Sequence, residues 1–143
     1  MDKISEPFVG SEDALTEQII KIYYEVYNEL GFGFLESVYC RAMAIALEQR
    51  GLDVASEVAI PVSFRGVLVG SFRADLMVER KVIVEAKTCD QVLKAHEAQL
   101  LHYLRASTIE VGLVLIFGEV PRFRRLEFRN ERKRLMKGAA VHG

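Results

Sequence analysis

The sequence predicts one mixed α/β domain in which two helices precede a three-strand meander, a third helix and two further strands. Three observations carry that prediction. Leu15, Ile19, Ile22, Tyr23, Val26 and Leu30 recur at helical spacing. From Val54 to Lys87 the period shortens to that of extended chain, with β-branched residues crowded into successive runs. Val111 to Phe117 is almost purely apolar, as a strand buried on both faces must be, and a helical stretch stands before it.

The first helix has Ser11 and Asp13 as caps and Gly31 as a stop, and a second is expected from about Leu35 to Arg50, closed by Gly51. Val54–Phe64 and Val67–Val78 flank a turn at Arg65-Gly66, and Pro61 suits the first of them to a sheet edge. Lys81 to Lys87 completes an antiparallel meander. Asp90 to Ala106 returns to helical spacing through Val92, Leu93, His96, Leu100, Tyr103 and Leu104. A helix crossing over before Val111–Phe117 makes that strand parallel to a neighbour. Phe123 to Phe128 supplies a last strand. The result is a mixed central sheet flanked by helices, of order α-α-β-β-β-α-β-β.

With 143 residues, half of them apolar, the chain suits one domain over 1–143 with its own core, and flexible ends are expected at 1–12 and 131–143. No apolar run approaches the roughly 18 to 20 residues of a membrane span, and the first ten residues lack the basic and apolar parts of a signal peptide. A cytoplasmic protein with no membrane partner is expected. Cys40 and Cys89 form no CxxC pair, so neither a disulfide framework, a zinc ribbon nor a four-cysteine iron-sulfur cluster is indicated. The net charge of −1 conceals an uneven distribution: from Pro121 to Lys137 eight Lys and Arg stand against two Glu. That segment is either a solvated edge or a phosphate contact through Arg122, Arg124 and their neighbours.

The hairpin between the second and third strands decides whether its charges cooperate. With Glu79-Arg80-Lys81 as a three-residue loop, Val78 pairs with Val82 and Asp75 falls opposite Glu85. Arg73, Asp75, Glu85 and Lys87 then share one face, while Phe72, Ala74, Leu76, Val78, Val82, Val84 and Ala86 fill the other. A two-residue loop would mix polar and apolar residues on both faces. Facing carboxylates repel unless a cation sits between them, and a hard ion with oxygen ligands such as Mg²⁺, or Mn²⁺, is the natural partner. Lys87 lies about 6 to 7 Å beyond Glu85 along the strand, within reach of a phosphate oxygen. An exposed hairpin with alternating charges is the ordinary alternative.

Asp75 in one strand, Glu85-Ala86-Lys87 in the next and Gln99-Leu100-Leu101-His102-Tyr103 in the following helix resemble the RecB-like branch of the PD-(D/E)XK nuclease superfamily. Gly33-Phe34-Leu35-Glu36-Ser37-Val38-Tyr39 is similar to the pattern that names its bacterial GxxExxY family. This resemblance, running from about Leu15 to Phe128, implies a restriction-endonuclease-like core and a metal-dependent nuclease, with DNA favoured as substrate. It makes Asp75 and Glu85 metal ligands with the backbone carbonyl of Ala86, Lys87 the catalytic lysine, and Glu36 a further acid of the site. Gln99 and Tyr103, four apart on one helix face, would line the cleft, with Arg73, Arg122 and Arg124 as further substrate contacts. Where relatives often carry Asn before the Phe-Gly that closes the apolar strand, Ile116 stands here. A non-catalytic nucleic-acid or protein-binding module on the same fold is the alternative. No GxxxxGK[ST] loop is present, so any helicase or repair partner must be a separate protein, and a homodimer is also conceivable. His96 and His102 are six apart and do not share a zinc, although His96, three before Gln99, is placed to border the cleft.

Overall fold

The computed structural model describes residues 11–135. Helices α1 (Ser11–Leu30) and α2 (Glu36–Gln49) lead into strands β1 (Val54–Phe64), β2 (Val67–Val78) and β3 (Val82–Lys87), then α3 (Lys94–Arg105), β4 (Val111–Phe117) and β5 (Pro121–Glu127). The five strands form one sheet in the order β1-β2-β3-β4-β5, antiparallel except for the parallel β3–β4 pair that the α3 crossover joins. This is the expected mixed sheet, with β1 and its Pro61 at an edge. No helix among the described residues is long and apolar enough to cross a membrane.

Local chemistry explains most element ends. Gly31 at φ 71° donates its N–H to the Tyr27 carbonyl at 2.8 Å, a left-handed residue that stops α1. α3 begins at Lys94 rather than Asp90, because the backbone from Cys89 to Leu93 stays irregular until the His96 side chain caps the helix. β5 begins two residues earlier than expected: Pro121, which has no N–H to give, opens this edge strand opposite Phe117. Of the expected flexible ends, 11–12 open α1 and 131–135 are helical, while 1–10 and 136–143 lie outside the described residues.

The sheet has two dressed faces. Ile19, Ile22 and Tyr23 of α1 and Tyr39, Met43 and Leu47 of α2 pack on Leu76, Val78, Val82, Val84, Leu113, Leu115 and Phe117. On the other face, Leu100, Tyr103 and Leu104 of α3 cover Ile83, Val114 and Ile116. Each such large side chain contributes about 1.5 to 3 kcal/mol of burial, so β3 and β4, covered on both faces, form the rigid centre. Gly112 is small for a reason: a Cβ there would come within 2.6 Å of Leu100 Cδ1.

One expectation about faces is corrected. Phe72 and Ala74 do not continue the apolar face of Leu76 and Val78. Ala74 belongs to the α3 cluster, and the Phe72 ring lies 5.2 Å from that of Tyr103. Residues two apart normally share a face, so β2 changes face at Asp75. Opposite it in β1, Glu57 has a φ of 52°, and no ladder pair joins the two.

Tyr23 ties α1 to the far strands. Its buried hydroxyl donates to the Ile116 carbonyl and accepts the Arg122 N–H at 3.0 Å, and burial pushes its pKa up. Tyr23→Phe strands both backbone groups, so a loss of about 1 to 3 kcal/mol is expected, read as a lower urea midpoint at unchanged slope.

Candidate active site

The β2–β3 hairpin pairs Val78 with Val82, Met77 with Ile83 and Leu76 with Val84, and there the ladder stops. The next positions in that register are Asp75 and Glu85. Instead of a backbone pair they exchange side-chain hydrogen bonds. The Asp75 N–H donates to Glu85 Oε2 at 2.8 Å, and the Ala86 N–H donates to Asp75 Oδ2 at 2.9 Å. Each carboxylate thus satisfies an amide that the parting strands would otherwise leave unpaired.

Glu85 is 2% exposed, one of the two buried polar residues among those described. Burial pushes its pKa up from 4.5 to about 7, the Asp75 charge pushes the same way, and the Asp75 N–H and Lys87 only partly compensate. Lys87 Nζ stands 3.9 Å from Glu85 Oε1. Ala86 offers the site only its backbone, since its side chain is buried in the α1/α2 cluster.

The loop and helix that follow α1 bring Glu36 to this point. Gly33 adopts φ 111°, open to glycine, and lets the chain turn into α2. Glu36 opens that helix, where the dipole favours a carboxylate. Buried Tyr39 then locks the loop: its hydroxyl donates to the Gly31 carbonyl at 2.6 Å and accepts the Phe34 N–H at 3.2 Å, and its ring stacks on Phe117 at 4.1 Å. Of the Gly, Glu and Tyr in that signature, Glu36 therefore faces the cleft and the other two shape its approach. Glu36, Cys40, Glu57 and Asp75 line one cavity of about 690 Å³.

α3 closes the opposite side. Tyr103 stands four residues after Gln99 on one helix face, and burial together with the Glu85 and Asp75 charges pushes its pKa up to about 12. Two basic residues come from β5. The sheet register aligns Glu85, Val114 and Arg124 in one row and Lys87, Ile116 and Arg122 two rows on, so each arginine lies two strands from the site, about 10 Å away. Arg122 makes no side-chain ion pair among the described residues, whereas Arg124 pairs with Glu97 at 3.4 Å. Arg73 is drawn elsewhere, to Glu57 at 3.3 Å on an open surface. Ile116 is fully buried under α3.

Two neighbours escaped the sequence reading as parts of the site. Cys40 lines the same cavity as Asp75, and burial and that carboxylate push its thiol up to about 12. Its position four residues after Glu36 was the available signal. Glu57 was read as an ordinary strand residue, and its left-handed backbone has no signature in the sequence.

An acidic pair, one member buried and the other half-buried, where two strands part, between helices on both faces of a mixed sheet, defines a restriction-endonuclease-like domain. A model of the PD-(D/E)XK nuclease superfamily matches residues 13–128, and the chain belongs to that superfamily. Among solved structures, the one described as "Crystal structure of SSO0001" is similar in fold, with a TM-score of 0.54 at 17% identity over 73% of this chain and 57% of that one. This chain therefore spans little more than half the length of that protein. No curated protein sequence matches it significantly.

The electrostatics predict a pH effect. Between pH 4.5 and about 7 the folded protein retains a proton on Glu85 that the unfolded chain releases, so stability is lost as pH rises through that window. Metal-free protein is expected to melt at falling temperature across this range, and Glu85→Gln to melt above wild type beyond it. Scanning fluorimetry against pH checks both, and identical profiles for the two proteins would contradict the buried-charge account.

Proposed function

We propose that this chain is a metal-dependent nuclease that hydrolyses phosphodiester bonds, with DNA the favoured substrate and Mg²⁺ or Mn²⁺ the cofactor. The supporting observation is the Asp75–Glu85 pair. One oxygen of each carboxylate is engaged by a backbone N–H, which leaves the other oxygen of each available to a cation that would relieve their repulsion.

Among the described residues no three His, Cys, Asp or Glu side chains cluster to hold a metal. That donor set fits Mg²⁺, which commonly takes one or two carboxylates and completes its shell with water and substrate phosphate. Asp75 and Glu85 would hold the ion, with the Ala86 carbonyl as third ligand and Glu36 reaching it through water. The ion would supply positive charge against the charge developing on the phosphoryl oxygens.

The chain's own groups do the rest. Lys87, held beside Glu85, orients the attacking water and stabilises the negative charge that grows in the transition state. Gln99 and Tyr103, on one face of α3, line the cleft and hold Lys87 and the phosphate in line. Arg122, on the same row as Lys87, meets the strand beyond the scissile phosphate, and Arg124 can do so once released from Glu97. Arg73, occupied by Glu57 on an open surface, is the weakest of the expected contacts.

Binding without catalysis through the basic segment is less well supported. Arg125 is held by Asp13 and Glu127, Arg129 by Glu12, Glu110 and Glu127, and Lys133 donates to the Ser107 and Ile109 carbonyls at 2.9 and 2.7 Å. Those cations serve the fold.

Cleavage of labelled single-stranded and linear duplex DNA is expected in Mg²⁺ and is abolished by chelator. Asp75→Ala and Lys87→Ala are each expected to lose activity about 100-fold or more; wild-type rates in both variants would refute the assignment. Arg122→Ala should weaken binding across sequences and lower the slope of log affinity against log salt by about 1, as titration at several salt concentrations would read.

A further inference from the structure

The α3 face turned toward the carboxylates carries one polar residue that the mechanism leaves unused. His96 stands three residues before Gln99 and seven before Tyr103, all on one helix face. Its Nδ1 accepts the Leu93 backbone N–H at 3.1 Å, satisfying an amide in the turn that opens α3. An imidazole that accepts at Nδ1 is neutral and carries its single proton on Nε2. The cap therefore fixes the tautomer as well as the ring.

Two further features keep it so. An imidazolium would forfeit the Leu93 bond and stand at the positive end of the α3 dipole. Burial and the Lys87 ammonium hold the pKa below the ordinary imidazole value, against a weaker opposing pull from Glu36. The cap also holds the ring in the first turn of α3, where the short connection from the end of β3 at Lys87 enters the helix at Lys94. Among the described residues nothing accepts from Nε2, and the side chain is only half-buried.

We propose that the Nε2–H of His96 is a fixed, uncharged donor to a non-bridging phosphate oxygen of the nucleic-acid strand, beside the phosphodiester that is cut. A neutral donor suits this place because it grips phosphate without repelling Lys87. The proposal rests on the nuclease reading for which strand occupies the cleft, and its test separates the two.

His96→Asn keeps an acceptor near the Nδ1 position and removes the distal donor, whereas His96→Gln extends an amide N–H toward the Nε2 position. Long-range ¹H–¹⁵N spectra of the full chain are expected to give the Nε2–H tautomer, with the Nε2 signal shifting when a twelve-residue thymidine oligonucleotide is added in Ca²⁺. In the same buffer, His96→Asn is expected to bind that oligonucleotide about tenfold more weakly, with a melting temperature close to wild type, and His96→Gln to recover most of the loss. An Nδ1–H tautomer, an unmoved Nε2 signal, wild-type binding by His96→Asn, or no binding by the wild type would overturn the proposal. So would losses in both variants that merely follow a lowered melting temperature, the mark of a cap alone. His96-dependent binding without cleavage in Mg²⁺ would sink the nuclease reading and leave this one standing. Cleavage with no dependence on His96 would do the reverse.

Discussion

The exchange of two hydrogen bonds between Asp75 and the Glu85-Ala86 segment is the constraint on which the site depends. Past Leu76 and Val84 the strands β2 and β3 part, and an opened ladder would ordinarily expose unpaired amides. Here the carboxylates take those amides. One pair of contacts therefore ends the sheet pairing, fixes both acids and leaves each with an oxygen to spare. The same break lets β2 change face, so that Ala74 packs toward α3 and Leu76 toward the first two helices.

Holding two acids this close is unfavourable for the fold alone, and the surrounding structure carries the cost. Glu85 sits on β3, which neighbours β4 and is covered on both faces, so it has little freedom to swing into water. Lys87 at 3.9 Å offsets part of the repulsion. An apolar pair in these places would stabilise a buried sheet better. Strain kept in a core that can bear it is typical of sites that bind an ion or do chemistry.

Much of this was legible in the sequence. The alternation through Leu76, Val78, Val82 and Val84 selected the three-residue loop, and that register set Asp75 against Glu85. β1, β2 and β4 end at the residues expected, because Gly66 and the flanking polar residues mark their bounds. What escaped was non-local or depended on side-chain geometry. No period reveals that β2 changes face at Asp75, since the change accompanies breaks in pairing with the strands on either side, one of them at the left-handed Glu57. The start of α3 was misplaced because its cap is an imidazole, a residue absent from ordinary capping patterns. Arg73 was drawn from the expected group by Glu57, a partner sixteen residues away that a face assignment alone does not supply.

The central claim is that Asp75 and Glu85 together seat a divalent cation. A crystal structure of the wild-type protein soaked in Mn²⁺, read by anomalous scattering, tests it most directly. The account predicts one ion bridging Asp75 and Glu85, absent from Asp75→Ala crystals soaked alike. An empty pair at saturating Mn²⁺, or an ion held elsewhere, would contradict it.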